Sequence, residues 1–138
     1  MKALSVLVVA SLFTFGVAHA DIQIRKNGSS WAEITDSGDI RINGSTVGSV
    51  GSDGAVRKNG STVGSVESGG AIRKHGSTVG SIESNGSLRK NGSTIGSIED
   101  NGAIRKNGSS WGEASHCCSD GRARRAVAAV LVFFSDFF

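Results

Sequence analysis

The chain has 138 residues and a formal net charge of +3, with 20 glycines, 22 serines, no proline and no tyrosine. That length allows one domain at most, and so mild a charge does not argue for a nucleic-acid or membrane partner. Glycine and serine at this level suit disorder by composition alone, but valine and isoleucine recur at fixed intervals and argue for order.

In chain order, the first element is an export signal. Lys2 supplies a positive start, Leu4 to Val17 is an apolar run, and Ala18-His19-Ala20 is a small-x-small cleavage site. This is the pattern of a secretory signal peptide. A spanning helix needs roughly 20 apolar residues, more than this run offers. The expectation is cleavage before Asp21 and a secreted, periplasmic or cell-envelope location.

Residues 21–115 read as a six-unit repeat domain. Arginine recurs at positions 25, 41, 57, 73, 89 and 105, a step of 16 each time. Short fixed-period self-similarity is the signature of a laddered repeat architecture. Each unit carries two turn signals. Asn59-Gly60 and its equivalents predict a two-residue type I′ hairpin turn, with φ positive at both positions. Lys58 then faces Ser61, Arg57 faces Thr62 and Val56 faces Val63. The second signal is a three-residue loop ending in glycine, such as Ser84-Asn85-Gly86, which suits a type I turn followed by a left-handed glycine. It pairs Ile82 with Leu88. Val63 and Val66 are three apart, so a bulge at Gly64-Ser65 is needed to return both to one face.

The predicted fold is all-β: tandem 16-residue β-hairpin repeats forming an antiparallel meander, curled or paired by its apolar face because one thin sheet has no core. The alternative is a β-solenoid with one repeat per coil. That would stack arginine on arginine about 4.8 Å apart, and like charges directly opposite are destabilising. The meander spaces them by about 10 Å.

Residues 116–138 form an apolar tail. Arg122-Ala123-Arg124-Arg125 leads into Ala126–Phe134, a run too short to span a bilayer. Periodicity does not decide between a final strand and a short helix laid on the sheet. Cys117 and Cys118 are adjacent, and one trans peptide step is shorter than the usual Cα separation of a disulfide. Free thiols, or bridges to a second chain, are expected. His116 and the two cysteines lack the usual metal-ligand spacing, and His75 replaces a turn asparagine. No nucleophile–base–acid set can be assembled. The expectation is therefore a protein that is not an enzyme, with no catalytic, cofactor or metal residues. Asn-Gly-Ser at six positions matches the glycosylation acceptor, but turn chemistry already accounts for those asparagines.

The candidate ligand-binding residues are Arg57, Arg73, Arg89 and Arg105, a regular row on the face opposite the apolar stripe. Its partner would be an anionic envelope polymer or glycan. Trp31 and Trp111 stand where inner units carry Val or Ile, and are read as structural caps on the two ends of the ladder. Self-association through sheet edges or the apolar face is the second partner expectation. Nucleic acid is not expected.

The pattern Gly-x-Ile-Arg-x-x-Gly-x-x-Val-Gly-x-Ile, present at Gly86–Ile98 with Leu88 for the first Ile, resembles short glycine-rich tandem β-repeats of uncharacterised bacterial secreted proteins. The resemblance covers residues 25–115; it implies a β-repeat fold and transfers no activity. The chain is also loosely similar to curlin-type repeat subunits in being short, exported and rich in Gly, Ser and Asn, but it lacks their glutamine ladders. The functional expectation is an exported structural or binding repeat protein, binding an acidic polysaccharide through the arginine row; the alternative is a self-assembling fibre or matrix subunit.

Overall fold

The computed structural model describes residues 21–118 and 120–138; the export segment read at residues 1–20 lies outside them. Twelve antiparallel strands follow one another as hairpins, two per repeat: β1 (Ile22–Lys26), β2 (Ser29–Ile34), β3 (Asp39–Ile42), β4 (Ser45–Val50), β5 (Ala55–Lys58), β6 (Ser61–Val66), β7 (Ala71–Lys74), β8 (Ser77–Ile82), β9 (Ser87–Lys90), β10 (Ser93–Ile98), β11 (Ala103–Lys106) and β12 (Ser109–Ser115). β1 also pairs with β12, so the meander closes into a barrel.

The type I′ turns form as the repeat dictates. Asn59 and Gly60 have φ of 51° and 86°, and His75 takes the same place with φ of 52°. Lys58 pairs with Ser61 and Arg57 with Thr62. The three-residue loops pair Ile82 with Leu88 as well. One register differs from expectation. Val56 pairs with Gly64, and Val63 is the extra residue of the bulge. The bulge therefore lies one residue before the expected Gly64-Ser65. It recurs in every repeat, at Trp31, Val47, Val63, Val79, Ile95 and Trp111. Each bulge carbonyl accepts from the turn residue of the next repeat, as in Asn59 N–H to Val47 at 3.2 Å and His75 N–H to Val63 at 3.3 Å. The Asn27 N–H closes the ring on Trp111 at 3.1 Å. Bulges raise local twist and bend a strand, which helps a sheet curl onto itself.

The apolar face turns inward. Ile24, Ile40, Val56, Ile72, Leu88, Ile98 and Ile104 are all 0% exposed. A 12-stranded barrel has a backbone radius of about 12 Å, from the strand spacing and a tilt near 40°. Side chains of Val and Ile size cannot meet across that width. The apolar tail fills it as helix α1 (Gly121–Phe134). Asp120 caps the helix by accepting from the Ala123 N–H at 2.7 Å. Residues Val127 to Leu131 are completely buried, and each such Val or Leu contributes about 1.5–3 kcal/mol of apolar burial. From Ala126 onward the helix is apolar on all sides, as an enclosed helix should be.

Space for the helix is made by glycine. A Cβ on Gly48, Gly64, Gly80 or Gly96 would first meet the carbonyl oxygen of the neighbouring strand's arginine, and would also meet the Phe134, Phe133 or Phe138 ring at 2.6 Å or, from Gly96, the Phe137 ring at 2.8 Å. Beyond α1, the Ser135 hydroxyl donates to the Leu131 carbonyl at 2.6 Å and accepts from the Phe137 N–H at 3.0 Å. That turn sends Phe137 and Phe138 back against the wall. Here lies the physical reason for the bulge's place: Gly64, not Val63, must sit on the inner face opposite Val56.

Two expectations are corrected. A closed barrel has no terminal repeat, so Trp31 and Trp111 cap nothing. They meet at the seam on either side of β1, edge to face, with centroids 5.8 Å apart. The sulfurs of Cys117 and Cys118 face each other within one chain, where free thiols or bridges to a second chain were expected.

Two outcomes follow from the fit of helix to barrel. Gly64→Val should destabilise the protein by about 1–3 kcal/mol or more, the usual range for overpacking, read as a lowered midpoint in urea. Deleting one repeat, residues 57–72, leaves ten strands and a radius of about 10 Å, too narrow for the same helix. The deletion should abolish cooperative unfolding, whereas an open ladder would tolerate it; a sharp melt near the full-length value would contradict the closed fit.

Candidate functional site: the arginine belt and the lysine mouth

All six Asn-Gly or His-Gly turns lie at one end of the barrel, and the three-residue loops lie at the other. Strand parity sorts the basic residues at the turn end. Arginine points outward, paired laterally with hydroxyl side chains: Arg57 lies between Ser49 and Thr62, and Arg73 between Ser65 and Thr78. Arg89 and Arg105 repeat the arrangement. The sequence-expected row is therefore a belt around the outer wall, continued by Arg25 and Arg41.

The belt is held in place by the turns. Nη2 donates to the carbonyl of the glycine three residues on, at 2.7 Å for Arg25, 3.0 Å for Arg41, 2.8 Å for Arg73, 2.6 Å for Arg89 and 3.2 Å for Arg105. Nε of Arg73, Arg89 and Arg105 lies 3.7–3.9 Å from Glu67, Glu83 and Glu99. These pairs are 40–50% exposed, so each contributes under about 1 kcal/mol. Their effect is orientation. At Arg57 the acid position is Gly51, and no ion pair forms there among the described residues.

Shallow hollows open on the wall beside the bulges. One of about 160 Å³ is lined by Ser30, Trp31, Ala32, Glu33, Arg41 and Asn43. Another of about 430 Å³ is lined by Thr78, Val79, Gly80, Ser81, Arg89 and Asn91. Each residue of the second stands 48 positions after its counterpart in the first, three repeats away and so on the opposite side of the barrel. The hollow is a property of the repeat: a bulge, a hydroxyl and the arginine of the next hairpin. The first is distinguished by Trp31 and by Glu33. A hydrogen bond to Asp21 raises the Glu33 carboxyl above its ordinary pKa, with burial and the Asp21 charge adding to the shift and Arg41 opposing it.

Lysine has the opposite parity and points into the mouth. Lys58 lies over the Phe134 ring at 5.6 Å, Lys90 over Phe138 at 5.4 Å and Lys106 over Phe137 at 5.4 Å. Lys26 lies over both Trp31 and Trp111. Lys90 donates to the Phe138 carbonyl at 2.6 Å and Lys106 to the Asp136 carbonyl at 3.3 Å. A ring of cations therefore surrounds the C-terminal end of α1, where the helix dipole is negative. This ring was readable in the sequence, since Lys58 shares the parity of Val56.

Arg124 gave no such signal. It is 6% exposed and ties the start of α1 to the loop end of the barrel. It donates to the Ser84 carbonyl at 2.8 Å and the Cys118 carbonyl at 3.0 Å, and it pairs closely with Asp100. Only the tertiary structure brings those three acceptors to one point. Removing the guanidinium strands two carbonyls, so Arg124→Ala should lower stability by about 2–3 kcal/mol. Arg124→Lys should recover part of it, because an ammonium cannot span all three acceptors in the guanidinium's fixed geometry. Urea denaturation of the two variants checks the order.

Compared with known proteins, the chain matches no family model, no curated protein and no solved structure.

Proposed function

We propose that this protein is an exported, non-enzymatic binding module of the cell envelope or extracellular space, which holds an acidic polysaccharide against its arginine belt. The supporting observation is the repetition of one outward guanidinium per hairpin around a closed wall. A single exposed arginine contact is weak. A polymer that meets several in turn gains effective concentration with every contact. The Gly-carbonyl hydrogen bonds of Arg25, Arg41, Arg73, Arg89 and Arg105 immobilise those guanidiniums beforehand, which reduces the ordering entropy lost on binding. The neighbouring Ser and Thr hydroxyls offer donors and acceptors to sugar hydroxyls. The outer wall of Ala, Arg, Thr, Ser and Glu is polar, the reverse of the apolar band that a lipid-facing barrel presents. The second reading, a self-assembling subunit, finds no free sheet edge on the closed barrel, but it keeps two ends of opposite charge.

The test uses polygalacturonate as probe, at low and physiological salt, with wild type and with quadruple variants at Arg57, Arg73, Arg89 and Arg105. Changing all four to Ser should lower affinity at least tenfold. Changing all four to Lys should also weaken binding, since lysine keeps the charge but loses the planar fork. Affinity should fall as salt rises. Equal binding by all three proteins, or no binding by wild type to carboxylated or sulfated polymers, would remove the belt from the function.

A further inference from the structure

We infer that copies of this protein stack end to end, the lysine mouth of one barrel against the acidic loop end of the next. The modest net charge conceals a separation along the barrel axis. Lys26, Lys58, Lys74, Lys90 and Lys106 ring the turn end, with the outward arginines just beyond them. Among the acids, Asp136 lies at that end, near Lys26 at 3.9 Å, and Glu33 and Glu113 pair across strands with Arg41 and Arg25 at the level of the belt. At the other end, five of the interhairpin connections carry acid: Asp36, Asp53, Glu67, Glu83, and Glu99 with Asp100. All of these but Glu99 are exposed, as are Lys58 and Lys74. Arg122 and Arg125, at the start of α1, offset the acidic end in part.

The two rings fit each other because one barrel makes both. They share its axis and its repeat, so facing copies present opposite charges at the same angular spacing about that axis. A barrel end about 30 Å across, side chains included, offers roughly 700 Å² per copy, close to the 800 Å² or so that each partner contributes to a standard interface. The contact is heterologous, basic end to acidic end, and a translation along the axis leaves both outer ends open. Such a contact propagates into a filament and does not close into a ring. The acidic end touches the belt through Glu67, Glu83 and Glu99, but the arginines themselves lie on the outer wall, which a stacked filament keeps available to a polymer.

Sedimentation velocity on the full chain tests the inference. Wild type at micromolar to millimolar concentration should form a concentration-dependent series of oligomers at about 20 mM salt and revert to monomer at about 0.5 M, where the screening length is only a few ångströms. Lys58→Glu/Lys74→Glu should cancel the positive charge of the mouth, and Asp36→Lys/Asp53→Lys should cancel the negative charge of the loop end. Each should be monomeric alone, with its fold checked by thermal melt, and mixing the two should restore pairing, because each keeps the end that the other lacks. The wild-type salt series decides alone if a variant fails to fold. Wild type that stays monomeric at low salt overturns the stack, as does association that the charge reversals leave unchanged. Loss of polygalacturonate binding in the mouth variant, with no self-association at any salt, assigns the mouth to the polymer and overturns it too. Failure of the belt in the arginine variants leaves all of these outcomes unaffected.

Discussion

The structure depends on the fit between a closed 12-stranded sheet and the helix inside it. A barrel of this size has too wide a lumen for its own Val and Ile side chains to fill, and a helix of about 10–12 Å diameter occupies what remains. Helix and sheet are therefore mutually required. Among the described residues the sheet's apolar face has nothing else to cover it, and α1, with Val127 to Leu131 fully buried, cannot be left in water. The inner glycines at 48, 64, 80 and 96 are the contact surface of that fit, each under a phenylalanine ring.

Closure also determines the outer surface. When β1 pairs with β12, six equivalent units share one axis, and strand parity sends arginine outward and lysine inward at the same end. A property that is local in the sequence, basic residues next to each Asn-Gly turn, becomes a ring and a belt. Acidic residues next to the other turn become the opposing end. Charge polarity is therefore a consequence of laying a polar repeat around a cylinder, and the low net charge gives no hint of it.

The same closure changes what the terminal units do. In an open ladder the tryptophans would shield two distant ends. In the barrel, Trp31 and Trp111 stand together across β1, with Lys26 over both rings and Phe137 against Trp111 at 5.3 Å. The seam is thus the most aromatic part of the wall, and the bulge hollow beside it differs from its counterpart three repeats away chiefly by Trp31 in place of Val79 and Glu33 in place of Ser81.

The local structure was legible in the residues. Asn-Gly demands a type I′ turn because both positions need positive φ, and the 16-residue step specifies two strands per unit. Strand pairing across the turns, the need for a bulge and the outward direction of arginine all follow from period and parity. What the residues left open, tertiary structure decided. Strand curvature accumulates only over all twelve strands, so closure is invisible in any one repeat. Closure then settled the tail. Ala126–Phe134 could be read as strand or helix, but inside a barrel whose strands are all paired no ladder partner remains, and a buried backbone must satisfy its own N–H and C=O groups. A helix does this within its own segment. The location of Arg124 among Ser84, Asp100 and Cys118 was equally out of reach, because those acceptors converge only once the helix has entered the barrel.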